Sequence, residues 1–313
     1  HSFPTRRSSD LKTGWCNLLE VSAETGLWKN AQLETAAIST YNLGIPVAGD
    51  LQAFSCIDAG PDKAFRLIEA GIRQNIGDKG SVYAGLRNID MDHFTTPFTA
   101  LFTNASHGNF PLATYPLAAL CLHTEFSPLP GLTFRESLYN GVASDRINRQ
   151  FRFCPRSDGM FNIGSLSYHI GEEDRHHGYY AVGYALGSSP SETSADKTFN
   201  YALWTLIEQP LLHIGESHLG AMWQGGTSPA SRSTCRHYWG AGLIWSNIPP
   251  RMTQVGLVVN RALYADGRET DVELTGSFPV CNHFTLQPAV HCINTNGNYT
   301  AAAQLRAILE FGN

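Results

Sequence analysis

The residues able to do chemistry cluster most tightly in GEEDRHHG, Gly171 to Gly178, where acids, an arginine and two histidines follow one another. Oxygen and imidazole donors at that density are the raw material of a metal site. The spacing argues otherwise: HExxH places two histidines on one helical face, whereas His176 and His177 are adjacent. A solvated hairpin loop accounts for the stretch, so no metal is expected, and nothing calls for a cofactor. Nucleophilic chemistry fares no better, because the chain has no GxSxG turn. The seven cysteines, Cys16, Cys56, Cys121, Cys154, Cys235, Cys281 and Cys292, contain no CxxC pair and are odd in number. They outline neither a zinc site nor a full disulfide framework. Several occupy apolar strand positions as small hydrophobes; one disulfide between loops is the alternative. Net charge is −5 with no basic block, so no nucleic-acid partner is expected.

The elements that position the remaining charges are strands. Hydrophobic residues make up 42% of the chain, charged residues 16% and aromatics 11%, with 29 glycines, a balance of many strands and tight turns. No apolar run is long enough for a transmembrane helix, which leaves a transmembrane barrel open. From Trp15 onward, strand-like segments alternate with turn chemistry: 15–24, 30–40, 64–76, 80–88, 118–126, 132–141, 158–170, 177–187, 198–209, 215–225, 235–246, 252–264, 269–279, 283–293 and 300–311. About ten residues is the length a tilted strand needs to cross a bilayer, whereas soluble strands average five or six. Faces separate cleanly. Val272, Leu274 and Phe278 oppose Asp271, Glu273 and Thr275; Val290 and Cys292 oppose Gln287, Ala289 and His291; Leu305, Ala307, Leu309 and Phe311 oppose Gln304, Arg306 and Glu310. Trp239, Trp245, Phe278 and Phe311 lie near strand ends, as interfacial girdles require. Pro288 is awkward inside a strand because it has no N–H to donate. A soluble sandwich or propeller also alternates, but no repeat of propeller length appears.

Two stretches break the pattern. HSFPTRRSSDL, residues 1–11, resembles a sequencing-adapter translation and is set aside; without its two arginines and one aspartate the charge becomes −5 − (+1) = −6. Residues 12–313 are then one barrel domain. Between Asp90 and Pro116 runs DMDHFTTPFTALFTNASHGNFPLATYP, with a helical turn expected near Phe98 to Thr103. Long aromatic loops in compact domains are functional more often than disordered, and in a wide barrel such a loop folds inward to narrow the lumen.

Several segments resemble the carbohydrate-selective porins of the OprB type: DLQAFSCIDAGPDKAFRLIEAGIRQNI, ALFTNASHGNFPLATYPLAAL, LIEQPLL, CRHYWGAGLIWSNIPPRMTQVGLVVNRALY and DVELTGSFPVCNHFTLQPAVHCINTNGN. The resemblance implies an all-β antiparallel transmembrane barrel of about sixteen strands in a Gram-negative outer membrane, apolar outside and polar inside. The fifteen segments found here then fit loss of a first strand. It further implies passive diffusion of small carbohydrates, no catalysis, a lipid environment and trimers. The rival functions are an outer-membrane barrel enzyme and a soluble glycan-binding β-protein. Parity and resemblance together place Glu69, Arg73, Arg87, His123, Glu125, Arg236, Glu273, Arg306 and Glu310 on the lumen wall. Phe94, Phe98, Phe102, Asn104 and His107 are expected at the constriction. The chain departs from the family at Ser165, where an acid is usual, and at Arg251-Met-Thr-Gln, where aspartates usually follow the arginine. Those departures bear on which sugar passes.

Overall fold

The computed structural model describes residues 13–44, 63–104, 118–144, 146–171, 178–191, 194–229, 233, 235–251 and 253–312. Fifteen antiparallel strands pair in chain order in one sheet. They are β1 (Gly14–Trp28), β2 (Ala31–Gly44), β3 (Lys63–Ile76), β4 (Gly80–Arg87), β5 (Ala119–Leu129), β6 (Leu132–Asn140), β7 (Met160–Ile170) and β8 (Gly178–Ser191). The series continues with β9 (Ser194–Ile214), β10 (Ser217–Thr227), β11 (Cys235–Ile248), β12 (Thr253–Tyr264), β13 (Arg268–Cys281), β14 (Phe284–Thr295) and β15 (Asn298–Leu309). Each corresponds to one expected segment. The largest extension is β9, whose 21 residues begin in SADKT, where no apolar alternation announces a strand. Among the described residues, short helices interrupt the long connections: α1 (Asp90–His93), a single 3-10 turn at Thr99–Leu101, α2 (Ile147–Gln150) and α3 (Pro155–Asp158).

Local chemistry sets the turns. Asn296 and Gly297 both take positive φ, 53° and 92°, the conformation that joins β14 to β15 in a two-residue hairpin. The β13–β14 register runs Thr275↔Ala289 and then Phe278↔Leu286, stepping over Pro288, which has no donor for the ladder. In β3 a register shift opposite Ala36/Ala37 inserts one extra residue, so Arg66 and Ile68 face inward and so do Glu69 and Arg73 beyond the bulge.

Residues 88–104 show that the sheet is curled. Asp92 is bonded to Arg87 on β4 and Thr103 to Glu273 on β13. Those strands are nine apart in the sheet, which would be about 43 Å if it were flat. Eleven peptide steps, two helical turns among them, cannot cross that distance but can cross the interior of a cylinder. The segment therefore runs through the inside, and the faces are inverted relative to a soluble protein. Glu34, Glu69, Arg87, Asp271, Glu273 and His291 are buried inward, while Leu122, Val182, Leu243, Leu274, Val290 and Leu305 are exposed outward. The inner face is not uniformly polar, however. Met222, Ile244 and Val258 point inward and form a buried cluster with Phe98, Leu101 and Phe102, because the loop covers them.

Candidate functional site

The inward loop is fastened to the wall at both ends. On the β4 side, the Arg87 guanidinium meets Asp92 of α1 through Nε–Oδ2 at 2.6 Å and Nη2–Oδ1 at 2.8 Å. Its Nη1 also bonds Glu69 and lies 3.2 Å from Glu34 Oε2. Arg73 closes the group by binding Glu34 at 2.5 and 3.1 Å. Both guanidiniums lie over the Tyr83 ring, Arg87 at 4.8 Å and Arg73 at 5.6 Å from its centroid, a favourable cation–π placement. His93 continues the attachment: Nε2 lies 2.9 Å from Ser137 Oγ and Nδ1 3.3 Å from Ser165 Oγ. His123 reaches the same Ser137 at 2.7 Å. Phe94 packs edge-on to Trp204, centroids 5.2 Å apart.

The far side is held by carboxylates aimed at the loop backbone. Glu208 of β9 accepts from the Phe98 N–H at 2.8 Å. Glu273 of β13 accepts from the Thr103 N–H at 2.8 Å, the Thr103 hydroxyl at 2.9 Å and the Asn104 N–H at 3.0 Å. Asp271 takes the Asn104 side-chain amide at 2.9 Å and lies 3.0 Å from His291 Nδ1. His291 Nε2 in turn lies 2.9 Å from Thr103 Oγ1. Gln287 of β14 donates to the Leu101 carbonyl at 2.5 Å. A buried backbone without such partners would be costly. Two glycines make room. A Cβ at Gly256 would stand 2.7 Å from Phe102 and 2.8 Å from Leu101, and one at Gly220 would collide with the Phe98 ring. The donor atoms of Asp271, Glu273 and His291 all lie within 4.8 Å of one another, close enough to surround a cation. Here the loop already uses those atoms, which makes the trio a clasp.

The loop is thus pinned at both ends across the space that the wall encloses. The sequence model of the carbohydrate-selective porins, OprB family, matches residues 8–269. The chain belongs to that family. No curated protein matches it in sequence. Among solved structures, the high-pH structure of Pseudomonas putida OprB is similar with a TM-score of 0.77 at 15% identity, covering 96% of this chain and 88% of that one. A multiple mutant of Rh. blastica porin matches with a TM-score of 0.54 at 11% identity, covering 95% and 91%. The fold is thus the porin β-barrel, and this OprB-family member is a carbohydrate-selective channel of a Gram-negative outer membrane.

Within that barrel the expected site residues fall into separate groups. Glu69, Arg87 and His123 join Glu34, Asp92 and His93 beneath the loop, all buried or nearly so. Arg73 belongs to the same network but retains 17% side-chain exposure. Phe94, Phe98, Phe102 and Asn104 lie on the loop, buried against the wall; His107 lies outside the described residues. Glu125 pairs with Arg135 at 2.7 Å near the short-turn rim. Arg306 reaches Gln287 at 3.4 Å, and Glu310 follows the last ladder residue of β15, exposed. Arg236 sits at a β11 bulge on the opposite rim, its Nη2 donating to the Ala265 carbonyl at 3.3 Å. Residues 172–177 of the acid–histidine stretch also lie outside the described residues. Sequence reasoning missed Asp92 and His93 on the loop itself and, on the wall, Glu34 behind Arg87 and the loop partners Glu208, Asp271 and His291. The signal of the wall residues was an acid or histidine on an inward face, but only the loop's path tells which such residues it meets.

The anchor at α1 carries a pH dependence. Burial pushes the Asp92 carboxyl up, but its bonds to Arg87 outweigh this and hold it below the usual carboxylate range. Burial pushes His93 down to about 3. A histidine depressed on docking contributes stability that is complete above its free value near 6.5 and lost as pH falls below it. Asp92 acts in the same direction at lower pH. Acidification from pH 6.5 toward 3 should therefore loosen α1 by up to about 1.4 kcal/mol per pH unit from His93. Fluorescence of Trp204, whose ring centroid is 6.3 Å from that of His93, should follow this, and His93→Gln should flatten the response between pH 6.5 and 4.5. An unchanged titration in that variant would remove His93 from the account.

Proposed function

We propose that small sugars diffuse passively through the gap left between the pinned loop and the inner wall, without catalysis. The observation that carries this reading is the double anchorage of residues 90–104 across the lumen. Charges with remaining exposure, Arg73, Glu125, Arg306 and Glu310, are the solute contacts in this scheme. Glu69, Arg87, His123 and Glu273 serve the loop, Arg236 lines one rim, and the phenylalanines give the constriction its apolar side. Such groups bind hydroxyls weakly enough to release them, which conduction demands. The working assembly in this proposal is a trimer, as the family resemblance suggests.

Liposome swelling tests the transport reading. Vesicles holding the protein should swell faster in monosaccharides and disaccharides than protein-free vesicles, and faster than in amino acids of equal size. Equal rates with and without protein would sink the channel. Equal rates for sugars and amino acids would sink the selectivity.

A further inference from the structure

The outward face of β11, β12 and β13 changes character toward the rim that carries the long β2–β3, β4–β5 and β6–β7 connections. Register aligns its residues in rows. Leu243, Leu257 and Leu274 form one row, and Ala241, Val259 and Val272 the next. Then come Trp239, Arg261 and Thr270, and last His237, Leu263 and Arg268. The first two rows are what lipid tails require. The last two are not, because cations beside hydrocarbon are costly unless something compensates them. Every acid of these strands, Glu269, Asp271 and Glu273, is turned inward and buried, so among the described residues the outward charge is wholly positive. Asp266, at the tip of the β12–β13 hairpin, is exposed to water.

Further geometry defines a site on this face. Arg261 pairs with Thr270 and Leu263 with Arg268, so the two arginines are diagonal neighbours, roughly 7–8 Å apart. That separation lets both guanidinium forks reach one phosphate group. A cavity of about 480 Å³ opens beside Arg268, lined also by His237, Leu263, Tyr264, Asn296 and Arg236; the Arg236 Nε is buried without a hydrogen-bond partner. On the membrane side, Trp239 stacks on Trp223 of β10 with centroids 6.1 Å and planes 7° apart, an aromatic platform at interfacial depth.

Long loops mark the extracellular end of an outer-membrane barrel, and the lipids of that leaflet carry phosphates on sugar headgroups. We propose that this face binds the phosphorylated headgroup of an outer-leaflet glycolipid. One phosphate sits between Arg261 and Arg268, a sugar ring lies against the Trp223–Trp239 pair, and acyl chains run down the Leu and Val rows. Arg261 and Arg268 face away from the lumen, and neither belongs to the transport path.

Native mass spectrometry of the detergent-solubilised protein, titrated with bisphosphorylated lipid A, tests the proposal. Wild-type protein should bind it at least tenfold more tightly than the fully dephosphorylated glycolipid, a comparison that needs no variant to fold. Millimolar inorganic phosphate should not displace it. The double variant Arg261→Gln/Arg268→Gln should lose at least tenfold in affinity with its sugar flux unchanged, while Lys63→Gln, an exposed cation far along the sheet, should bind as wild type. Equal affinity for the two glycolipids, displacement by free phosphate, or a double variant that binds normally would each overturn the assignment.

Discussion

Replacing Glu273 with alanine should open the channel: single-channel conductance in planar bilayers rises, and oligosaccharides that the wild-type protein excludes pass. The carboxylate accepts three hydrogen bonds from Thr103 and Asn104 in a fully buried position. Hydrogen bonds to a charged group contribute about 1.5–3 kcal/mol each, and this carboxylate accepts three. A shift of about 5.5 kcal/mol carries a two-state equilibrium from 99:1 to 1:99, so most of the docked population is at stake. Undocking lets water satisfy the Thr103 and Asn104 N–H groups that Glu273 holds in the docked loop. Glu208→Ala should act in the same direction with a smaller effect: it releases the Phe98 N–H and the neighbouring Thr96 and Thr99 donors, but Phe98 keeps its contacts with Met222, Ile244 and Val258. Glu273→Gln retains one acceptor oxygen but puts an NH2 group in place of the other, and should fall between. A folded Glu273→Ala barrel with wild-type conductance and exclusion limit would show that the clasp does not hold the constriction.

This clasp also marks the boundary of what the chain's pattern makes legible. Strand positions and faces follow from local alternation, so each of the fifteen strands coincides with an expected segment and Asp271, Glu273 and His291 share the inward side. The inward loop is legible as well, from its length and its aromatics. What alternation cannot supply is where the loop goes. Glu273 and Thr103 are 170 residues apart, and Glu208 and Phe98 110, so nothing in either neighbourhood reports the other. The same holds for Gly220 and Gly256, which read as ordinary strand glycines until Phe98 and Phe102 lie against them. The apolar inner patch of Met222, Ile244 and Val258 is a further case. Parity places it inside, yet only a covering loop explains why a water-filled lumen tolerates it. The bulge in β3 is a fourth, since one inserted residue resets the parity that brings Glu69 and Arg73 to the lumen.

Leu274→Arg should be the most damaging single change on the outside, and it tests the face assignment from the opposite direction. Leu274 is 53% exposed in a row with Leu243, Leu257, Val290 and Ala303, which lies between the Trp239 and Trp245 rows. In a soluble sheet, arginine at an exposed position would cost almost nothing. In a barrel wall, arginine at the midplane costs about 2–4 kcal/mol, falling toward zero to one near the interfaces. Leu305→Arg lies nearer the short-turn rim, in register with Pro288, and should cost less than Leu274→Arg but more than its neighbour Gln304→Arg, whose side chain faces the lumen and meets His291 at 3.4 Å. Urea titration of folding into lipid vesicles, followed by tryptophan fluorescence, ranks the three. The order Leu274, Leu305, Gln304 requires lipid outside and water inside. Gln304→Arg as the worst of the three would reverse the faces and, with them, every lumen assignment made for this wall.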